Sequence, residues 1–307
     1  MKRFLMYRIG QSLITILLVM FVVFMAARVA GDPVTLLVDF DATQEDIDKL
    51  RGELGFDDPL PIQFVDFVSD AIRGDFGISF RTSRPAMGEV LERVPASLQL
   101  AALSLLFALV ISIPLGVLAA ITRGSSLDML ARFLALVGQA APNFWIGLLM
   151  IFFFSVRLGW LPTGGRGGFD HMILPSITLG TAGAASLARL TRSAMLDVLN
   201  SDYVTMARAK GLPRRTVIFK HALRNAMIPV ITILGLRIGT LISGSVIVET
   251  IFAWPGVGRL IISSINVSDF PVVQAAILLT ASAVVFANLL TDIAYMFIDP
   301  RIRYVRS

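Results

Sequence analysis

The sequence predicts an all-α integral membrane protein: six membrane-spanning helices, with a long extracytoplasmic loop after the first. Composition is the first observation that predicts it. Of 307 residues, 55% are hydrophobic and only 16% are charged, against roughly 25% charged in a soluble domain, and the mean hydropathy is +0.76. The second is length. Six stretches stay apolar over the ~20 residues that a helix rising about 1.5 Å per residue needs to cross about 30 Å of hydrocarbon. The third is charge: Lys and Arg gather on alternate connecting stretches, as the positive-inside rule requires.

The first span, Ile9 to Ala27, is free of charge. Lys2, Arg3 and Arg8 precede it, as they would a signal peptide. The apolar run is longer than a signal core, however, and Arg28 stands where cleavage after Ala30 would want a small residue, so a retained span is expected. Residues 31–95 follow as an inserted extracytoplasmic segment. Between Asp32 and Glu92 lie 14 of the 22 acidic residues. Thr43-Gln44-Glu45-Asp46 reads as a capped helix start, Pro59-Leu60-Pro61 as a break, Ile62 to Ile72 as a short helix, and Gly74-Asp75-Phe76-Gly77 as a turn.

The second and third spans lie between Arg93 and Arg123 and between Arg132 and Arg157. The fourth, His171 to Ala188, is rich in Gly, Ala, Ser and Thr. The fifth runs from Asn225 to Val248 with Arg237 inside it, and the sixth from Phe270 to Thr291. Pro114, Pro142 and Pro229 are expected to kink or start spans. Gly235 and Gly239, with Gly244 beyond, suit close helix packing. Asp292, at the inner end of the sixth span, is expected to pair or cap. His171 and His221 are expected to make loop hydrogen bonds.

With both termini cytoplasmic, residues 1–8, 122–132, 189–224 and 299–307 hold 16 of the 27 Lys and Arg, which sets the orientation. The same distribution excludes nucleic acid as a partner, since the basic residues occupy membrane loops. The absence of Cys removes disulfides, thiolate nucleophiles and Cys-ligated metals, and two separated His do not make a metal site. No tract suggests an interdomain linker, so a single membrane domain over 1–307 is the simplest organisation.

The most informative stretch is the cytoplasmic loop at about 191–226. A helix-compatible run from Asp202 leads into Gly211-Leu212-Pro213 and a second helical pattern from Arg214 to Leu223. Gly211 suits a left-handed helix end and Pro213 the first turn of the next helix. The bend displays Tyr203, Met206 and Ala207 beside Arg208, Lys210, Arg214 and Arg215. Apolar anchors within a charged rim suit docking in a groove of a soluble partner.

This loop resembles the coupling loop of ABC importer permeases, Glu-Ala-Ala followed by three residues and Gly. Those positions are Thr205-Met206-Ala207 and Gly211 here, with Thr205 in place of the family's Glu. Longer wording resembles the dipeptide, oligopeptide and nickel permeases. It comprises Ala207-Arg208-Ala209-Lys210-Gly211-Leu212, Lys220-His221-Ala222-Leu223-Arg224-Asn225-Ala226, Gly159-Trp160-Leu161-Pro162, Leu174-Pro175-Ser176-Ile177-Thr178-Leu179-Gly180, Trp254-Pro255-Gly256-Val257-Gly258 and Asp299-Pro300-Arg301-Ile302-Arg303. The first span and its long outer loop resemble the B-type subunit of that family.

The resemblance implies the type I importer permease fold in a bacterial or archaeal cytoplasmic membrane. It implies a second homologous permease, two cytoplasmic ATPase subunits carrying ATP and Mg, and an extracytoplasmic binding protein that delivers dipeptides or short oligopeptides. Nickel complexes, glutathione and other small cargo are the alternatives of the same type. The chain has no Walker A pattern, so it is expected to bind no cofactor itself and to be no enzyme. An intramembrane Arg costs about 2.5–3.5 kcal/mol on insertion scales, so Arg237 should face protein or water. It pairs within the protein, snorkels towards the cytoplasm, or lines a translocation path with Ser243, Ser245 and Glu249. An ion-coupled transporter fits less well, since no acid sits in mid-span to carry a proton.

Overall fold

A computed structural model describes residues 2–30, 43–53 and 57–298. Apart from one antiparallel bridge between Ile78 and Pro85, the regular structure among these residues is helical. In chain order the helices are α1 (Lys2–Ala30), α2 (Gln44–Glu53), α3 (Leu60–Arg73), α4 (Ala86–Ile121), α5 (Ser126–Ala140), α6 (Asn143–Met150), α7 (Asp170–Leu199), α8 (Asp202–Ala209), α9 (Arg214–Thr216), α10 (Leu223–Ile251), α11 (Val257–Asn266) and α12 (Phe270–Ile298). π-Helical turns follow α6 at Ile151–Arg157 and precede α10 at Val217–Ala222.

Four helical stretches among the described residues are long and apolar enough to cross a membrane: Met6–Val29, Ala86–Ile121, Arg214–Leu234 and Phe270–Ile293. A fifth arises if Ser126–Ala140 and Asn143–Arg157, bent by 106° at their junction, are one span. The bend has a covalent cause. Pro142 carries no amide hydrogen and forces the residue before it out of the helical region. Ala141 is extended at ψ 130°, and Pro142 starts α6 at φ −62°. The expected fourth span lies within α7, which is not apolar enough to count by composition. Its composition suits an interior helix: Leu174, Pro175, Thr178, Leu179, Gly180, Ala184, Leu187, Ala188, Thr191 and Met195 are all buried. A helix surrounded by protein needs small residues for close contact more than large apolar ones for lipid.

The chain forms two compact units, residues 1–97 with 255–307, and residues 98–254. In the first, α1 packs along α12, and Arg8 near the start of α1 reaches Asp292 near the end of α12 at 3.2 Å. The pairing expected of Asp292 is thus present. Ala86 and Val90 of α4 share a core with Val257 and Ile261 of α11 and Val272, Ala275 and Ala276 of α12. The turn after α3 is held by Gly77 N donating to Asp75 Oδ1 at 2.9 Å. Beyond it, buried Asp269 accepts from Ser79 Oγ at 2.5 Å and from Phe80 N at 3.1 Å, which fastens the approach to α4 onto the α11–α12 corner.

In the second unit α7 is the central helix, packed against α5, α6 and α10. It also meets α4 at two glycines. A Cβ on Gly180 would stand 2.6 Å from Ser104 O, and one on Gly116 would stand 2.6 Å from Thr191 Cβ and 2.7 Å from Ala188 O. The helices touch backbone to side chain there, and hydrogen is the only side chain that fits. At the start of α5, buried Asp128 accepts from Arg192 of α7 through both oxygens, at 2.7 and 2.9 Å, and from Gly124 N at 3.0 Å. His171 Nδ1 lies 3.0 Å from Gly164 O, the loop contact expected of that residue.

Candidate functional site

The short helix α8 begins after Ser201, whose carbonyl accepts from Val204 N and Thr205 N, both at 3.1 Å. Asp202 occupies its first turn and Arg208 its last, the charge order that a helix dipole favours. Its end is a left-handed Gly211 at φ 75°. Gly211 N donates to Arg208 O at 2.9 Å and Leu212 N to Ala207 O at 3.4 Å, so the last carbonyls are satisfied as the chain reverses. Pro213 caps α9 at φ −57°, one position ahead of the expected first turn.

Two side chains fix α8 to the unit. Val204 is fully buried and Ala207 is 7% exposed, both packed on Val217 with Val198 and Leu199 beside them. The outer edge is tied as well. Asn225 Nδ2 donates to Tyr203 Oη at 2.7 Å and to His221 O at 3.2 Å, and Tyr203 Oη donates to His221 O at 3.4 Å. The π-helical turn explains how the following segment packs. Its wider winding lets Val217 and Ile218 face inward together with Ala222, one turn on, and the inward line continues as Ala226 and Val230. Ile218, Ala222 and Ala226 share a core with Val117 and Ala120 of α4 and Ala194 and Met195 of α7.

What remains outward is a compact mixed face. Met206 is 61% and Phe219 59% exposed, and Tyr203 and Leu212 are partly so. Thr205, Arg208, Lys210, Gly211, Arg214 and Arg215 surround them in solvent. Of the residues expected to form this face, Ala207 belongs elsewhere: it is on the inward side of α8, where it holds the helix and presents nothing. Leu212 and Phe219 were not among the expected anchors. The signal for Phe219 is the run Val217-Ile218-Phe219, since three consecutive apolar residues on a helix cannot all face one way.

Of the second expected cluster, Ser245 and Glu249 are buried. Arg237 and Ser243 fall within 235–244, where side chains lie outside the described residues, as do Gly235, Gly239 and Gly244. Among the described residues no group of His, Cys, Asp and Glu could hold a metal ion.

Comparison with known proteins agrees along the chain. Residues 112–304 match the family described as binding-protein-dependent transport system inner membrane component, and residues 1–101 match its N-terminal companion family. The oligopeptide transport system permease protein AppB of Bacillus subtilis is 45% identical over 303 residues, covering 95% of each chain. The glutathione transport system permease protein GsiC of Escherichia coli K12 is 44% identical over 274 residues, 89% of this chain and 90% of that one. Among solved structures, the inward-facing MetNI methionine ABC transporter aligns with a TM-score of 0.57 at 20% identity, over 69% of this chain and 97% of that one, a likeness of fold alone. The chain belongs to the family of inner membrane components of binding-protein-dependent transport systems.

Proposed function

We propose that this chain is one of two membrane-spanning subunits of an ABC importer for dipeptides or short oligopeptides. It shares the translocation path with a second permease, receives cargo from an extracytoplasmic binding protein, and is driven by two cytoplasmic ATPase subunits that hold ATP and Mg. The observation that carries the proposal is the outward face of α8 and α9 on a rigid mount. Met206, Leu212 and Phe219 within a ring of Arg208, Lys210, Arg214 and Arg215 offer a soluble partner apolar anchors and a charged rim. Val204, Ala207 and the Tyr203–Asn225 bond tie that face to α7 and α10. A displacement of α8 by a closing ATPase pair is therefore carried into the membrane helices as a rigid-body motion.

Six spans are the topology that the packing supports best. Arg8 meets Asp292, so the first and last helices have their terminal ends together and the number of crossings is even. Within the second unit the contacts Ser104–Gly180 and Gly116–Thr191 rise together along α4 and α7, so these helices run parallel. The chain between them must travel back, and α5 with α6 is the only segment long enough. With α7 as a span, the termini and the α8 loop are cytoplasmic and residues 31–95 extracytoplasmic.

The glutathione reading has its own support in the 44% identity to GsiC. Glutathione is a tripeptide with free carboxylates, so uptake of a labelled dipeptide competed by glutathione separates the two. The test of the main proposal is purification from native membrane with an ATPase assay. Met206→Asp and Arg208→Glu, on the outward face, are expected to release the ATPase subunits and leave the permease pair together. A chain that purifies alone and transports without an ATPase would sink the proposal.

A further inference from the structure

Outside the docking face, the least expected surface is on α3. Its fourteen residues, Leu60–Arg73, divide cleanly at helical spacing. Leu60, Phe64, Phe67, Val68, Ala71, Val65 and Ile72 fall on one arc, and Gln63, Asp66, Ser69, Asp70 and Arg73 on the other, with Ile62 as the apolar exception. Part of the apolar arc is taken up by α1. Phe64 meets Phe21 and Phe24 edge-on at 5.5 and 5.3 Å between ring centroids, and Phe67 meets Phe24 at 5.6 Å. Arg28 lies 3.5 Å over the Phe24 ring and donates to Gln63 Oε1 at 2.6 and 3.0 Å. The far edge of the arc is bare: Val65 is 64% and Ile72 75% exposed.

The position of these contacts along α1 decides what faces the bare arc. The membrane-crossing stretch of α1, Met6–Val29, ends just past Arg28. Phe21 is eight residues inside that end, or about 12 Å at the rise of a helix. A helix whose rings touch Phe21 and Phe24 is at the level of the lipid boundary and not above it. On α1, Phe21, which meets Phe64, and its neighbour Val22 are themselves exposed. The polar arc, with Asp66 and Asp70, is left for water.

We propose that α3 is an interfacial helix, lying in the headgroup boundary of the bilayer beside α1, with Val65 and Ile72 among the acyl chains. The leaflet is the outer one if the six-span topology holds, but the lipid contact does not depend on that. The helix anchors the acidic outer segment to the membrane surface and sets the height at which the chain enters α4. Burial of two aliphatic side chains and the flanks of two rings in lipid is the kind of anchorage that amphipathic surface helices use.

The chain contains no Cys, so single cysteines can be introduced without background. Val65→Cys, Ile72→Cys, Asp66→Cys and Asp70→Cys, each in the full chain with its co-purifying subunits, are labelled with an environment-sensitive fluorophore. They are reconstituted in phosphatidylcholine vesicles with or without brominated acyl chains, with Leu17→Cys on exposed α1 as the lipid control. Brominated lipid should quench positions 65 and 72 at least about threefold more than 66 and 70, as depth in the interface requires. Aqueous iodide should show the reverse order. Equal iodide quenching at all four positions would place the face in water and overturn the proposal. Protection of 65 and 72 from both quenchers would mean that a protein covers them, which overturns it as well. If Leu17→Cys itself escapes brominated lipid, the membrane assignment of α1 fails first, and that result is distinguishable from the other two.

Discussion

Met206 and Ala207 are adjacent in the chain and have opposite roles, because the turn of α8 sends one outward and the other against Val217. The consequence reaches Gly211. No atom lies within 4 Å of where its Cβ would be, while its φ is 75°, so the residue is glycine for its backbone alone. An L side chain in that region costs about 1 kcal/mol. Gly211→Ala should therefore loosen the end of α8 without touching the rest. We expect the Leu212 amide, which closes onto Ala207 O, to exchange with solvent about fivefold faster, the factor that corresponds to about 1 kcal/mol. The thermal midpoint of the protein should be unchanged, and Gly211→Asn, which tolerates this conformation better, should fall between. An unaltered Leu212 rate in the Ala variant would contradict this account of the loop. The bend itself was legible in the sequence, because Gly-x-Pro carries its own geometry. The inward direction of Ala207 was not, because a small residue suits either face and only the position of Val217 decides.

At the scale of elements, the arrangement rests on helices that approach without side chains between them. Gly180 of α7 against Ser104 O of α4, and Gly116 of α4 against Thr191, set that distance twice. Gly183, one turn from Gly180, is different: a Cβ there would meet Ala108 Cβ at 3.7 Å, an ordinary contact. The two positions make a controlled pair. Gly180→Ala must push α4 and α7 apart, and overpacking of this kind costs about 1–3 kcal/mol. Gly183→Ala should be neutral or slightly stabilising through helix propensity. Thermal unfolding in detergent of both variants measures the difference, and equal midpoints would show that the helices are not held at this separation. Composition explains why these elements were unevenly readable in the sequence. The lipid-facing helices α1, α4 and α12 declare themselves by apolarity. The interior helix α7 hides behind Gly, Ala, Ser and Thr. The 106° bend between α5 and α6 follows from Pro142, yet from sequence a proline in an apolar run reads equally as a mild kink.

For the whole molecule, the decisive question is how many times the chain crosses the bilayer, and three loops answer it. The α7 helix has 30 residues, about 45 Å at 1.5 Å per residue, which exceeds the hydrocarbon thickness despite its modest apolarity. It runs parallel to α4, which is free of charge from Val94 to Ile121. If α4 crosses and α7 lies along it in the same direction, α7 crosses too, and the bent α5–α6 segment must bring the chain back between them. Single cysteines at Arg123, Thr163 and Arg215, all exposed, mark the loops before α5, before α7 and after α8. In sealed right-side-out vesicles, an impermeant maleimide should label position 163 readily. It should label 123 and 215 only after the membrane is opened. If α5 and α6 formed a re-entrant hairpin, 163 would label together with 123. If α7 lay outside the bilayer, 163 would label together with 215, and α8 would no longer be separated from the outer loops. Only opposite behaviour of 163 against both others is compatible with an ATPase docking at Met206 while cargo enters from the other side.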